Sequence, residues 1–178
     1  NIRALLPQLS KPYITYGLDS SADIWAHDID QNGVETHFSV SRKNKSNWLR
    51  VTLNMPGVHN VLNALSAIAI AAELNVSDES ILSALKYFQG IGRRFQTQGD
   101  CEINSKKVMF IDDYGHHPRE IDATILAVRE GWPDRRLVLV FQPHRYSRTR
   151  DLFEDFVNVL SKTDVLLLTE VFAAGEDP

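Results

Sequence analysis

Cysteine is nearly absent from this chain of 178 residues: Cys101 stands alone, which excludes an internal disulfide and fits a reducing, intracellular setting. Long hydrophobic runs are missing too, and none approaches the roughly 20 residues that a membrane-spanning helix needs. Neither sign of charge is in marked excess. The net charge is −4 and the pI about 5.8, so nothing points to bulk electrostatic binding to nucleic acid or to an anionic membrane. There is no initiator methionine and no targeting segment. The chain opens Asn1-Ile2-Arg3-Ala4 and stops at Ala174-Gly175-Glu176-Asp177-Pro178, just after a strand-like run, and the expectation is a piece of a longer protein. What remains is ordinary for a folded chain. Hydrophobic residues make up 43% and charged residues 24%, enough for a core in one large domain or two small ones.

In the first half, Ile2–Leu9 reads as the end of a helix cut short near Pro7 and Pro12, and 13–17 as a strand. Weak alternation over 22–28, 35–42 and 48–53, with Asn32-Gly33 as a turn signal, predicts an antiparallel region. Asn60 reads as a helix N-cap. From Val61 to Ala72 the polar side chains are Asn63 and Ser66, so the helix is expected to be buried on nearly all sides. Ser77-Asp78-Glu79 starts a second helix with Ile81, Leu82, Leu85 and Phe88 on one face. Gly90–Arg94 reads as a hinge between domains.

Beyond the hinge, 95–103 and 107–111 are strand-like around an Asn104-Ser105 turn. A helix over 119–129 turns Ile121, Ile125 and Val128 inward and stops at Gly131-Trp132-Pro133. Apolar strands follow at 137–141 and 165–168. Between them Asp151-x-x-Glu154 resembles a capping box opening a helix with Leu152, Phe153, Phe156, Val157 and Leu160 on its core side. Strand, helix, strand, helix, strand, without alternation in the strands, predicts a three-stranded parallel sheet with right-handed crossovers.

The polar chemistry gathers at the ends of those three strands, where ligands bind in such sheets. The first ends in Asp112-Asp113-Tyr114-Gly115-His116-His117, with Pro118 suited to the first turn of a helix. The second ends in Gln142-Pro143-His144-Arg145-Tyr146-Ser147-Arg148-Thr149-Arg150, and the third in Glu170. Each group has a plain alternative. The acids and histidines can be helix-end and surface groups, or the loop can bind a metal, although adjacent ligands are unlike ordinary metal spacing. The arginines can be a solvated face or can bind a small carboxylate or phosphate, which suits guanidinium geometry. Asn63 in an apolar helix shares a face with His59 and Asn60. An unpaired buried amide there would cost on the order of 1–3 kcal/mol, which favours a hydrogen-bonding ligand such as a nucleotide base.

Two stretches carry a resemblance. Gly57-Val58-His59-Asn60-Val61-Leu62-Asn63-Ala64, followed by Gly90-Ile91-Gly92-Arg93-Arg94-Phe95, resembles the Mur ligases, ATP-dependent amide-bond-forming enzymes of peptidoglycan synthesis. The turn 112–118, the segment Phe141–Arg150 and Glu170-Val171-Phe172-Ala173-Ala174-Gly175-Glu176 are similar to the branch that joins L-alanine to UDP-N-acetylmuramate. The resemblance implies an α/β fold: residues 1–92 as the later part of the central ATP-binding domain and 93–178 as a truncated, Rossmann-like C-terminal domain with a parallel sheet. It also implies ATP and Mg²⁺, UDP-N-acetylmuramate and L-alanine as small-molecule partners, no nucleic acid or membrane, and a bacterial cytoplasmic setting. Cell-wall biogenesis, cell shape and cell division come with that assignment.

By the same resemblance, Asn60 and Asn63 would hold the adenine, Asp113 the ribose, and Arg94 the terminal phosphates, with His59 also among the cofactor-binding residues. His116, Arg145 and Arg148 would position L-alanine with Tyr114 nearby, and Arg94 and His116 are the expected catalytic residues. One element departs from the family. No G-x-x-x-x-G-K-[ST] loop is present, since none of the nine glycines precedes a lysine,. The phosphate cradle and the main Mg²⁺ ligands are therefore expected upstream of Asn1, and the chain alone is expected to be inactive. Three other readings stay open: a sibling ligase attaching murein tripeptide to the same UDP-sugar, a metal-dependent hydrolase built on Asp112, Asp113, His116 and His117, and a non-catalytic interaction module, which would bind no nucleotide.

Overall fold

The structure, a computed structural model, describes residues 2–177. After a 3₁₀ turn at Ile2–Gln8, the first half forms one sheet. A short strand β1 (Tyr16–Gly17) lies parallel to β2 (Ile24–Asn32), which continues as an antiparallel meander through β3 (Glu35–Arg42) and β4 (Lys45–Leu53). The alternation has its expected consequence: Ile24, Ala26, Phe38, Val40, Val51 and Leu53 all turn to one side and are buried,. The turn after β2 falls on Gly33-Val34, with Gly33 at φ +57°.

Helices α1 (Val58–Glu73) and α2 (Asp78–Tyr87) cover that side and complete a core with Val61, Leu65, Ile68 and Ile81. Ser77 caps α2, its hydroxyl accepting the Ser80 N–H at 3.2 Å. Helix α1 departs from expectation twice. It is not buried all round: Asn63, Ala67 and Ile70 are exposed, because only one face meets the sheet. Nor is Asn60 its cap. Gly57 occupies that position, and Asn60, one turn in, sends its Nδ2 back to the Pro56 carbonyl at 2.8 Å.

An ion pair closes the edge of this sheet. The Asp23 carboxylate meets Lys43 Nζ at 2.5 Å and accepts from the Thr15 N–H at 2.8 Å and the Thr15 hydroxyl at 2.6 Å. These contacts, the Lys43 hydrogen bond foremost, hold its pKa down at about 2. A carboxyl whose folded pKa lies below its unfolded value adds stability that is full above the unfolded pKa and is lost as the pH falls through the folded one. Acid titration from pH 5 to pH 2 is therefore expected to remove roughly 1 kcal/mol through this group, after allowance for solvent screening. Asp23→Asn should flatten that part of the stability profile measured by urea unfolding.

Past residue 94 a second cluster forms. Strands β5 (Gln96–Ile103) and β6 (Lys106–Asp112) make an antiparallel hairpin around Asn104 and Ser105, both at positive φ, +50° and +60°. Helix α3 (Pro118–Gly131), strand β7 (Val138–Phe141), helices α4 (Tyr146–Asp151) and α5 (Phe153–Leu160) and strand β8 (Val165–Leu168) follow. Strands β7 and β8 pair in parallel, and a bridge from His144 to Phe172 prolongs the pairing. The chain is thus α/β with mixed sheets.

The three-stranded parallel sheet expected from the pattern is not made among the described residues. Strand β6 pairs with β5, because the two-residue turn folds that strand back beside it. The capping box expected at Asp151 is also absent. Asp151 ends α4, Leu152 breaks the helix, and α5 begins uncapped at Phe153. That break rotates the buried face to Phe156, Val159 and Leu160 and leaves Phe153 and Val157 exposed. Of the residues expected inward on α3, Ile121 and Ile125 are buried against Phe141 and Phe156, while Val128 is half-buried.

Candidate active site

The site is organised by the turn between β6 and α3. Asp113 ties this turn together with both carboxylate oxygens: Oδ1 accepts the Gly115 N–H at 2.7 Å, and Oδ2 accepts the Phe95 N–H at 2.9 Å. The second bond crosses to the segment that joins the two clusters, where Gly90, Arg93 and Phe95 all have positive φ. The Tyr114 N–H adds a bond to the Arg93 carbonyl at 2.8 Å. The connecting segment is therefore fixed to the turn from both sides.

Glu120, in the first turn of α3, holds the other side. Its Oε2 accepts from the N–H groups of His116 and His117 at 3.0 and 3.2 Å, and His117 Nδ1 accepts from the Arg119 N–H, completing a capping box with Pro118 at the first helical position,. Glu120 Oε1 also faces Arg94 Nη1 at 3.5 Å, and His116 Nδ1 lies 3.8 Å from Oε2. Burial opposes ionisation of Glu120, but the two N–H groups and the neighbouring His116 and Arg94 charges outweigh it and lower the pKa,.

Between this turn and helix α1 lies a cleft of about 790 Å³. Leu53, Ala64, Ala67, Leu85 and Phe88 make it apolar on one side. Polar groups converge from both clusters: His59, Asn60 and Asn63 from α1, and Arg94, Asp113 and Glu120 from the other. The Asn60 amide is committed locally, to Pro56 O and, through its Oδ1, to Asn63 Nδ2 at 3.3 Å. Asn63 faces the cleft rather than a core. Burial lowers the His59 pKa, with Arg94 acting in the same direction and Asp113 against it, so the ring is neutral near pH 7.

The remaining expected site residues gather on the other side of the turn. Tyr114 meets His116 edge-on at 5.4 Å and carries the Arg93 guanidinium over its face at 4.7 Å. His116 lies 5.8 Å from His144, which lies 5.0 Å from Phe172. Arg148 Nη1 donates to His144 O at 3.2 Å. Arg145 stands at φ +75°, with its Nη1 3.9 Å from Glu176, whose carboxylate also accepts from the Ser147 N–H and hydroxyl. The structure thus divides the expected residues into His59, Asn60, Asn63, Arg94 and Asp113 around the cleft, and Tyr114, His116, Arg145 and Arg148 beyond it. Glu120 touches both groups.

Metal binding by the turn finds no geometry here. Among the described residues no group of three or more His, Cys, Asp or Glu is placed to hold an ion, and each Asp113 carboxylate oxygen and His117 Nδ1 already accepts one backbone N–H. Two profiles match this architecture in sequence: the Mur ligase middle domain over residues 1–71, and the Mur ligase glutamate ligase domain over residues 93–178. The chain belongs to the Mur ligase family. Among solved structures it is similar to the UDP-N-acetylmuramate–alanine ligase of Thermotoga maritima, at 30% identity and a TM-score of 0.76 over 92% of this chain and 35% of that one. It is also similar to a murein peptide ligase of Psychrobacter arcticus, at 26% identity and a TM-score of 0.51 over 88% of this chain and 38% of that one. The folylpolyglutamate synthase of Thermotoga maritima, at 21% identity, a TM-score of 0.63 and 95% and 37% coverage, shares the fold. The chain spans about a third of the length of these structures. Among the described residues no helix is long and apolar enough to cross a membrane.

Glu120 and His144 join the site beyond the residues expected to act there. The signal for Glu120 lies in the sequence: Pro118 marks the first helical position, which puts Glu120 at the third, where a capping-box carboxylate sits,. His144 gives no such signal, because its place beside His116 depends on how β7 lies against the turn.

Proposed function

We propose that the full-length protein is an ATP-dependent ligase that joins L-alanine to the carboxylate of UDP-N-acetylmuramate in the bacterial cytoplasm. Residues 1–92 would belong to its ATP-binding domain and 93–178 to its C-terminal domain. The observation that carries the proposal is the cleft between α1 and the Asp113 turn, apolar on one side and lined by amide, guanidinium and carboxylate groups on the other. Its fit to a nucleoside is direct: Leu53, Ala64, Ala67 and Phe88 offer an apolar surface for a base, and Asn63 points an amide into it,. Asp113 lines the same cleft and has lone pairs left for a ribose hydroxyl.

Arg94 reaches the cleft from the connecting segment, and its guanidinium would offset charge on the transferred phosphoryl group. In the reaction a carboxylate oxygen attacks the terminal phosphorus and ADP leaves. The amine of the amino acid then attacks the acyl carbon, and inorganic phosphate departs as the amide forms. His116, Arg145 and Arg148, with His144 beside them, would orient the amino acid through its carboxylate. Mg²⁺ has no fitting set of ligands among the described residues, and its ligands would lie outside this chain.

Phosphate release by the full-length protein, measured with ATP, UDP-N-acetylmuramate and either L-alanine or murein tripeptide, tests the proposal. Turnover with L-alanine and little with tripeptide is the expected result; the reverse preference would assign the protein to the tripeptide ligase. Residues 1–178 alone are expected to release no phosphate, and turnover by them would overturn the placing of the phosphate cradle outside the chain.

A further inference from the structure

Gln31 sits near the end of β2, in a strand that reads as plain hairpin, yet its side chain reaches into three parts of the molecule. Oε1 accepts the Gly57 N–H at 2.8 Å, at the start of α1. Nε2 donates to the Ala127 carbonyl on α3 at 2.9 Å and lies 3.3 Å from the Gly33 carbonyl. Ala127 is 96 residues away and belongs to the other cluster.

The backbone around Gln31 is shaped for this close approach. A Cβ on Gly131 would lie 2.7 Å from Gln31 Nε2 and 2.9 Å from the Gly33 carbonyl. A Cβ on Gly57, which stands at φ +91°, would lie 2.9 Å from the Ala127 Cβ. Trp132, just after α3, stacks on Phe95 at 6.2 Å. Gly131 thus leaves room for the Gln31 amide, and Gly57 lets the start of α1 approach Ala127.

We propose that Gln31 is a latch that fixes the two halves of the molecule against each other and so sets the width of the cleft. The cleft has one wall on α1 and the other on the Asp113 turn and α3. Gln31 grips the first residues of α1 with its carbonyl and the later part of α3 with its amide. It is a positioning residue: it acts through Gly57 and Ala127 and does not itself line the cleft. Its consequence for nucleotide binding rests on the proposed function, whereas the latch itself does not. Cutting it leaves the connecting segment and the packing of Ala127 on Gly57 and of Trp132 beside Gly33 as restraints, and a ligand spanning both walls must then supply more of the docking.

The test compares Gln31→Met, which keeps side-chain length and removes both hydrogen-bonding groups, with Gly131→Ala, which wedges the same contact from the other side. In the full-length protein, hydrogen–deuterium exchange is followed in peptides covering 55–61, 126–135 and the α1 interior 62–72. Both variants are expected to speed exchange at 55–61 and 126–135 by about threefold or more while 62–72 stays protected, and to weaken binding of ATP with Mg²⁺ by roughly three- to tenfold, the usual worth of one hydrogen bond. Unchanged exchange at 126–135 in Gln31→Met overturns the latch. Loss of protection at 62–72 as well, in both variants, assigns Gln31 to general stability and overturns it too. Failure of the wild-type protein to bind ATP would sink the nucleotide reading while leaving the exchange comparison intact.

Discussion

Arg94→Ala is expected to lower kcat of the full-length ligase by roughly 10²–10³-fold, the scale for removing one charge-stabilising group from an acyl or phosphoryl transfer site. The guanidinium stands at the cleft, held 3.5 Å from Glu120, with about half of its side-chain surface exposed. That pairing is worth at most about 1 kcal/mol to folding, so the melting temperature should hardly move. The loss should fall on kcat, with KM for L-alanine nearly unchanged, because the group is proposed to act on the transferred phosphoryl and not on the amino acid. Arg94→Lys should recover part of the rate, since lysine restores charge without the planar fork. A fall of less than about tenfold in Arg94→Ala would remove Arg94 from the reaction.

The second large effect is on structure and activity together. Asp113→Ala leaves the N–H groups of Phe95 and Gly115 without their carboxylate, at a cost of about 3 kcal/mol, or a drop in melting temperature on the order of 5–10 °C for a chain of this size. Since Phe95 is buried and stacked on Trp132, the damage should reach the connecting segment and with it the placement of Arg94. Asp113→Asn is the sharper test. Its amide can accept one of the two N–H groups but must turn its own NH₂ toward the other, so it should be destabilised almost as much as the alanine variant. An Asn variant with wild-type melting temperature would show that the two bonds do not hold the turn.

The turn itself was legible: a buried strand ending in acids, a glycine, two histidines and a proline at a helix start form a contiguous signal, and β6, the turn and α3 stand where the sequence places them. The role of Asp113 within it was not. One of its partners is two residues away and could be guessed; the other is 18 residues away across the connecting segment. Asn60 and Asn63 show the same limit. Periodicity set them on one face of α1, but whether that face met a core or a cleft depended on what packs against it. The break at Leu152 defeated the face expected for α5, because a continuous helix was assumed through a residue at φ −116°.

The sequence by itself determined the family, the order and approximate ends of most strands and helices, the break between α4 and α5 excepted, and the gathering of polar groups after the apolar strands. These rest on local pattern, which repeats every two or 3.6 residues and needs no partner to be read. Only the tertiary structure decided which walls enclose the cleft, that β6 pairs back with β5, and that Gln31 joins the start of α1 to α3. Such features are made by groups far apart in the chain, whose meeting is fixed by packing and by the need of buried backbone groups for partners. No periodicity along the chain records that meeting.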